Sequence, residues 1–535
     1  MPIAPVERRA PSAAALWGGY LAMCLGMFMA ILDIQIVASS LLEIQAGLHI
    51  PLEQLSWVQT AYLIAEIVAI PLTGWLTSLL SLRRLFLIAV IGFTLASAGC
   101  AYSNSFELLI AFRVIQGAAG GVMIPATFTA IFTLFPERQH VLATAIGGLL
   151  ALVAPMLGPV IGGYITDTYS WPWLFLINIG PGIISAIAAG LLLRTPKPDA
   201  SAFERLDMVT LVLFAVSLSS LEIGLKNAPD DGWTGTGPLA LFAVFLGTGA
   251  FSIQRCLARV KPLVEIRLLL QPDFAASCFF SFVLGAMLYG SVYLMAVFLG
   301  LVRFHTAYET GVIMIVAGAA QFVALPFAAL LVRRVDPRIL TGIGFATFAI
   351  GLFANGFMTT ESDYDALFWP QALRGLGVVF CLLPTTSVAL EHRSGDALPN
   401  ASALFNLMRN LGGAIWIALL DTIIERRTPF EQSLMQQLHA GDPAAAAFVG
   451  LPVEAFHGQK IDSLDEISQF VGPLVERAAA VAAFNRAWIV LGVFCALSLL
   501  ALPWLRRQAG RSVPHLTPPL SPPMGRRGSS GKRRR

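Results

Sequence analysis

Basic residues in this chain alternate with its apolar runs, and no other feature constrains the fold as tightly. The hydrophobic stretches are about twenty residues long, each enough to cross a roughly 30 Å hydrocarbon core as a helix. Between them, loops carrying Arg83 and Arg84, Arg138, Arg194 with Lys197 and Arg205, Arg255 with Arg259, Lys261 and Arg267, Arg333 with Arg334 and Arg338, and Arg393 take turns with loops nearly free of Lys and Arg. Short loops rich in these residues stay on the cytoplasmic side of a membrane. Arg8, Arg9 and the basic run after Pro503 fall on that same side, whereas the short opposite loops contribute only Lys226 and Arg303. A span missed or added anywhere would break this parity, so the pattern predicts an even number of helices with both termini in the cytoplasm.

A composition of 56% hydrophobic and 13% charged residues, with a mean hydropathy of +0.73, excludes an ordinary soluble protein of 535 residues. The reading is an all-α polytopic membrane protein with about fourteen helices of bilayer-crossing length. They are expected near 14–41, 55–78, 83–103, 106–131, 139–162, 172–193, 207–226, 238–256, 272–300, 308–332, 337–358, 366–390, 398–423 and 482–505. The first run follows Arg8 and Arg9 as a signal peptide would, but it is too long, contains Asp33 and leads straight into further spans, so it reads as a retained helix. The net charge of +3 is dispersed along loops, which is topology and not a nucleic-acid footprint. Cys24, Cys100, Cys256, Cys278, Cys381 and Cys495 are widely spaced, with no CxxC and no His at ligand spacing, and read as packing residues.

Two soluble segments stand out. Residues 424–480 form a loop of about sixty residues on the non-cytoplasmic face, long enough to suggest a functional or disordered element. Its stretches Glu431 to His439 and Leu464 to Ala480 can extend the flanking helices or make a docking surface. The tail 507–535, with Pro-Pro pairs and a terminal Lys-Arg-Arg-Arg, reads as disordered and cytoplasmic. The expected organisation is therefore an N-terminal cytoplasmic segment 1–13, a six-helix bundle 14–193, a linker 194–271 holding two additional spans, and a second six-helix bundle 272–506.

A weak internal repeat supports two related helix sets. Span 4 carries Arg113-Val-Ile-Gln116-Gly117 and then Ile124-Pro125-Ala-Thr127; span 12 carries Arg374-Gly375-Leu-Gly377 and then Leu383-Pro384-Thr-Thr386. Parallel repeats of this kind build transporters whose substrate cavity lies between the halves.

Four motifs in order, across residues 14 to 506, resemble the fourteen-span drug:proton antiporter branch of the major facilitator superfamily, the EmrB/QacA type. Leu32-Asp33-Ile-Gln-Ile-Val37 looks like its first-span signature, and Arg113-Val-Ile-Gln116-Gly117 resembles its fourth-span RxxQG. Pro155-Met-Leu-Gly158-Pro159-Val-Ile-Gly162-Gly163 resembles the fifth-span antiporter motif, followed by the similar-looking Trp171-Pro-Trp173-Leu-Phe-Leu-Ile-Asn178. One motif departs from the pattern: the loop GxLaDrxGrr is here Gly74-Trp-Leu76-Thr-Ser78-Leu-Leu-Ser81-Leu-Arg83-Arg84. Serines replace the Asp and the second Gly, which puts the family's charge latch in doubt and leaves Arg83 and Arg84 open to reading as positive-inside anchors.

The resemblance implies a major facilitator fold with two extra helices between the bundles. It also implies an inner-membrane efflux transporter of lipophilic compounds, driven by the proton gradient without a cofactor. In a Gram-negative cell it further implies a periplasmic membrane-fusion adaptor, EmrA-like, and a TolC-like outer-membrane channel, with 424–480 as the docking element. A proton-linked importer or a metabolite exporter stays open as the alternative. An enzyme or receptor is disfavoured by the lack of Walker A, HExxH and GxSxG-type sequences and of any large soluble domain.

Physical reasoning gives the motifs content. Counted inward from the outer helix ends, Asp33, Glu66 and Arg113 all lie roughly 10–14 Å deep. An ionisable group at that depth is costly unless paired or beside a water-filled cavity. A carboxylate there can hold a proton when desolvated and release it when an arginine approaches, so Asp33 and Glu66 are the proton-coupling candidates and Arg113 their modulator; a purely structural Asp33–Arg113 salt bridge is the plainer reading. Glu222, four residues from Lys226, is expected to reach the interface. In span 5, Gly158 and Gly162 stand at the GxxxG interval while Pro155 and Pro159 favour a bend. Tyr62, Tyr289, Tyr293, Arg374 and Arg409 are the candidates for the substrate cavity.

Overall fold

Within a bilayer every backbone N–H and C=O must find its partner inside the protein, which leaves helices as the natural solution for long apolar segments. The computed structural model describes residues 12–38, 41–49, 57–195, 207–259, 262–332, 334–391, 393, 397–425, 428–440, 442–450 and 464–505, and among them there is no strand. The first six spans are α1 (Ala13–Ala38), α2 (Trp57–Leu80), α3 (Leu82–Ala101), α4 (Phe106–Leu134), α5 (Glu137–Thr168) and α6 (Trp173–Leu192). Two follow as α7 (Met208–Asp231) and α8 (Thr236–Ala258). The last six are α9 (Pro272–Leu301), α10 (Ala307–Leu331), α11 (Pro337–Asn355), α12 (Tyr364–Leu390), α13 (Ala397–Glu425) and α14 (Leu464–Ser498). Thirteen helices among the described residues are long and apolar enough to cross a membrane, and α5, bent by 45° between Glu137–Pro155 and Val160–Thr166, makes the fourteenth. The chain is thus an all-α, multi-pass membrane protein, in agreement with the sequence reading. Arg8, Arg9, Lys197, Arg205, Lys261, Arg333 and the tail 507–535 lie outside the described residues.

Local chemistry sets the helix ends. The Ser105 side chain accepts a hydrogen bond from Leu108 N at 3.3 Å to cap α4, and Thr306 and Glu309 form a reciprocal capping box on α10. Pro71, which lacks an N–H, accompanies a tightened 3-10 turn at Ile70–Leu72 inside α2. The last span starts well before the expected residue 482. Val471, Val475, Ala478 and Ala479 bury against Leu434, Leu438, Ala446 and Val449 from the short helices Thr428–His439 and Pro443–Val449, so part of the long loop is a helical cap with its own apolar core.

The same packing scheme occurs twice. In the first set α1 packs on α5 and α6, α2 on α4, and α3 on α4 and α6; in the second, α9 packs on α13 and α14, α10 on α12, and α11 on α12 and α14. The sets meet along α5 with α10 and along α2 with α13, where α4 also touches α13. Between the sets in sequence, α7 and α8 pair with each other, and α7 alone of the two runs along both α2 and α13. α8 buries only Pro238, Ser252 and Cys256, leaving an apolar outer face suited to lipid. All six cysteines are buried and unbridged.

Candidate functional site

Arg113, on α4, is fully buried and organises a polar cluster between α1, α2, α3 and α6. Its Nη1 donates to Asp33 Oδ2 at 2.5 Å and to Gln116 Oε1 at 2.8 Å, and its Nε donates to Val58 O at 2.9 Å. Asp33 Oδ1 accepts from Gln116 Nε2 at 3.0 Å and from Asn178 Nδ2 at 2.7 Å. Gln116 Nε2 also donates to Ser97 Oγ at 2.8 Å, and the guanidinium carbon stands 4.4 Å from the Tyr62 ring centre. Both ions are completely shielded, and such a pair is tolerable only when the remaining hydrogen-bonding capacity is met, as it is here for the carboxylate. Ser97 and Asn178 escaped the sequence reading as partners; Asn178 closes the recognisable motif after span 5, but only folding brings it against Asp33.

Glu66 is not part of this cluster. It is 3% exposed, accepts from Asn410 Nδ2 at 3.4 Å across the contact between the helix sets, and lines a cavity of about 320 Å³. The cavity walls come from α1, α2, α7, α9 and α13, and the size falls in the range of small-molecule sites. Its lining is largely apolar, with Gln35, Gln59, Thr60, Asn410, Tyr289 and Tyr293 as polar and aromatic exceptions, one lysine, Lys226, and three carboxylates, Glu66, Glu222 and Asp421. The Tyr293 hydroxyl donates to Asp421 Oδ1. Among the described residues Glu222 Oε2 is buried without a hydrogen-bond partner.

Three sequence expectations meet a different geometry. Glu222 and Lys226 line the cavity instead of reaching for the interface, because α7 packs on α2 and α13 and turns this face inward. Tyr62 is fully buried behind the wall, where its hydroxyl donates to Ala30 O at 3.0 Å. Arg374 and Arg409 are not on the wall either: Arg409 lies against the Phe128 and Phe405 rings, and Arg374 lines a separate small cavity in the second helix set.

Two of the remaining motif glycines sit where helices approach closely. A side chain at Gly117 would meet the Tyr62 backbone oxygen at 2.2 Å, and one at Gly158 would meet Gln35 Cβ at 2.2 Å. Pro155 ends the first limb of bent α5, and Thr166 Oγ1 donates to Gly162 O at 2.9 Å and Gly163 O at 3.1 Å; the side chain of Pro159 is outside the described residues. Gly74 abuts Asn400 of α13, joining the two sets near the basic-loop end. Arg83 bonds Gly190 O with its guanidinium and Thr195 Oγ1 with its backbone N–H, while Arg84 is exposed. Ser81, where the related loop motif has glycine, holds φ +70° and ψ 152°, a conformation that glycine adopts without strain and other residues do not.

These features have counterparts among known proteins. The sequence profile of the Major Facilitator Superfamily matches residues 23–417. The chain is 38% identical over 432 residues to the colistin resistance protein EmrB of Acinetobacter baumannii, covering 81% of this chain and 84% of that one. It is 27% identical over 490 residues to the multidrug export protein EmrB of Escherichia coli K12, covering 91% and 94%. The solved proton:xylose symporter XylE shares the fold at a TM-score of 0.57 with 12% identity, over 92% of this chain and 97% of that one. With its motifs, its fourteen spans and its twice-used helix packing, the chain belongs to the major facilitator superfamily.

Proposed function

We propose that this transporter expels lipophilic small molecules from the cytoplasm in exchange for protons, by alternating access of the cavity that the helix sets 14–193 and 272–506 enclose together with α7. The observation that carries the reading is the largely apolar cavity of about 320 Å³ with Glu66 on its wall, while Asp33, on α1 between the lining residues Ile31 and Ile34, pairs with Arg113. Apolar walls suit a lipophilic substrate, and a wall carboxylate held, among the described residues, by a single hydrogen bond of 3.4 Å is free to trade a proton for a ligand. Asp33 takes a proton when α1 and α4 shift against each other within the first set and draw Arg113 away, and loses it when the guanidinium returns. The relatives named for multidrug export and colistin resistance support efflux as the direction. The energy source is the proton gradient with no cofactor, and the setting is the inner membrane with both termini cytoplasmic. The helical cap within 424–480 is the surface proposed to dock a periplasmic membrane-fusion adaptor leading to a TolC-like channel.

A susceptibility panel comparing a deletion strain with its complemented parent tests this reading. Hypersensitivity to several lipophilic compounds, restored by the intact gene and not by the Glu66→Gln form, is the expected result. Equal susceptibility of both strains to every compound, with uptake of a nutrient lost instead, would replace efflux by import.

A further inference from the structure

The two helix sets each bury an arginine on their fourth span, but among the described residues only one of these has a counter-charge. Arg113 of α4 faces Asp33 of α1. In the second set Arg374 of α12 reaches the equivalent first span, α9, and finds Ser291 there: Nη2 donates to Ser291 Oγ at 2.7 Å. Arg374 is 4% exposed, and among the described residues it forms no salt bridge, while its Nε and Nη1 have no hydrogen-bond partner. The Trp488 ring, 5.1 Å from the guanidinium carbon, offers only its π-face or edge. A guanidinium cannot shed its charge by losing a proton. A buried positive charge without a partner is unstable in an apolar interior, which makes the surroundings of Arg374 informative.

Those surroundings include a cavity of about 20 Å³ lined by Arg374, Ser291, Gln321 and Gln371 among apolar neighbours such as Met314 and Val378. Among the described residues Gln371 Nε2 and Gln321 Oε1 are both buried without partners, and the Gln321 amide can be turned to present its NH2 instead. The space suffices for one species of about the size of a water molecule. It borders a fixed cation and amide donors, and none of its lining residues is acidic.

We propose that this cavity binds a single small monovalent anion, a halide such as chloride, as the counter-ion of Arg374, so that a bound anion serves the second helix set as the Asp33 carboxylate serves the first. The proposal is independent of the substrate and direction of transport, and its test reads binding and not transport.

The test is thermal unfolding of the purified full-length protein at constant ionic strength, with sodium gluconate, too bulky for the cavity, progressively replaced by sodium chloride or bromide. A saturable rise of about 2 °C is expected with either halide, because a ligand that binds only the folded state raises its stability. Ser291→Asp installs the missing carboxylate beside Arg374 and is expected to melt at one temperature in gluconate and in halide. Gln371→Leu removes one donor and is expected to shift the half-saturating halide concentration upward by about tenfold, the worth of one hydrogen bond to a charged group. A wild-type melting temperature indifferent to halide would mean that the cavity holds only water and would overturn the proposal. So would a full halide response retained in Ser291→Asp or an unchanged half-saturation in Gln371→Leu, since the ions would then act elsewhere.

Discussion

At the scale of single residues, Arg113 does work that a point charge cannot. It binds Asp33 and Gln116 through one nitrogen and Val58 O through another, all from one planar group. Lysine offers a single ammonium on a flexible stem. Arg113→Lys is therefore expected to reduce transport by at least about tenfold while retaining insertion, measured as efflux from cells matched for expression. Wild-type efflux would show that only the charge matters. Ser81 gives an opposite kind of prediction. Its glycine-like backbone at φ +70° costs about 1 kcal/mol or more, so Ser81→Gly should raise thermal stability by about that amount, and Ser81→Val should lower it. The ion pair was legible because both residues could be counted to one depth from helix ends. Ser97 and Asn178 were not, since nothing in the local pattern shows which α3 and α6 residues face a carboxylate on α1. Asn410, the Glu66 partner, was hidden for the same reason: its bond crosses between the helix sets.

At the scale of elements, α5 and α7 carry the arguments. α5 lies between α1 and α10 and so spans the contact between the sets. Its bend and its close approach at Gly158 to Gln35 fit a helix whose neighbours slide past it. Gly158→Leu is expected to abolish efflux in a protein that still reaches the membrane, since the larger side chain would hold α5 off α1. Full efflux in that variant would remove close packing at this point from the mechanism. α7 is tied to α8 beyond the membrane span by Asp207, which pairs with Arg255 at 3.0 Å and Arg259 at 3.2 Å. Burial works against the charged form, but the hydrogen bonds from Thr210 and Arg255 outweigh it and hold the Asp207 carboxyl below its ordinary value. A lowered carboxyl stabilises the fold above the unfolded-state value, about 3.9, and that stability is lost as pH falls through the folded-state value. Asp207→Asn should thus lower the melting temperature near neutrality by less than about 1 kcal/mol equivalent, with the difference shrinking toward pH 3. A difference that stays constant over this range would assign the effect to shape alone. The inward face of α7 could not be read from its sequence, because its apolar residues surround the helix and only its packing on α2 and α13 decides that Glu222 and Lys226 meet the cavity.

At the scale of the whole molecule, charge alternation and span length were enough to lay out fourteen helices, because both follow from the bilayer and not from tertiary detail. The repeated packing of α1 to α6 and α9 to α14 was visible in sequence only as a shared arginine and proline on spans 4 and 12. Orientation is open to direct measurement: reporters fused after Ser105, Asp231 and Asp363 should read non-cytoplasmic, and those after Gln139 and Arg338 cytoplasmic. Any reversal would overturn the placing of the basic loops in the cytoplasm. The central claim, that carboxylates at and behind this cavity exchange protons for substrate, is tested most directly by substrate-induced proton movement in proteoliposomes. Wild-type protein should show it with a compound from the susceptibility panel. Asp33→Asn and Glu66→Gln should each eliminate it while an uncharged lipophilic substrate still binds, because the amides keep the shape and lose the titration. Proton exchange at the wild-type rate in the Asp33→Asn protein would contradict the account and leave the Asp33–Arg113 pair as a strut between helices.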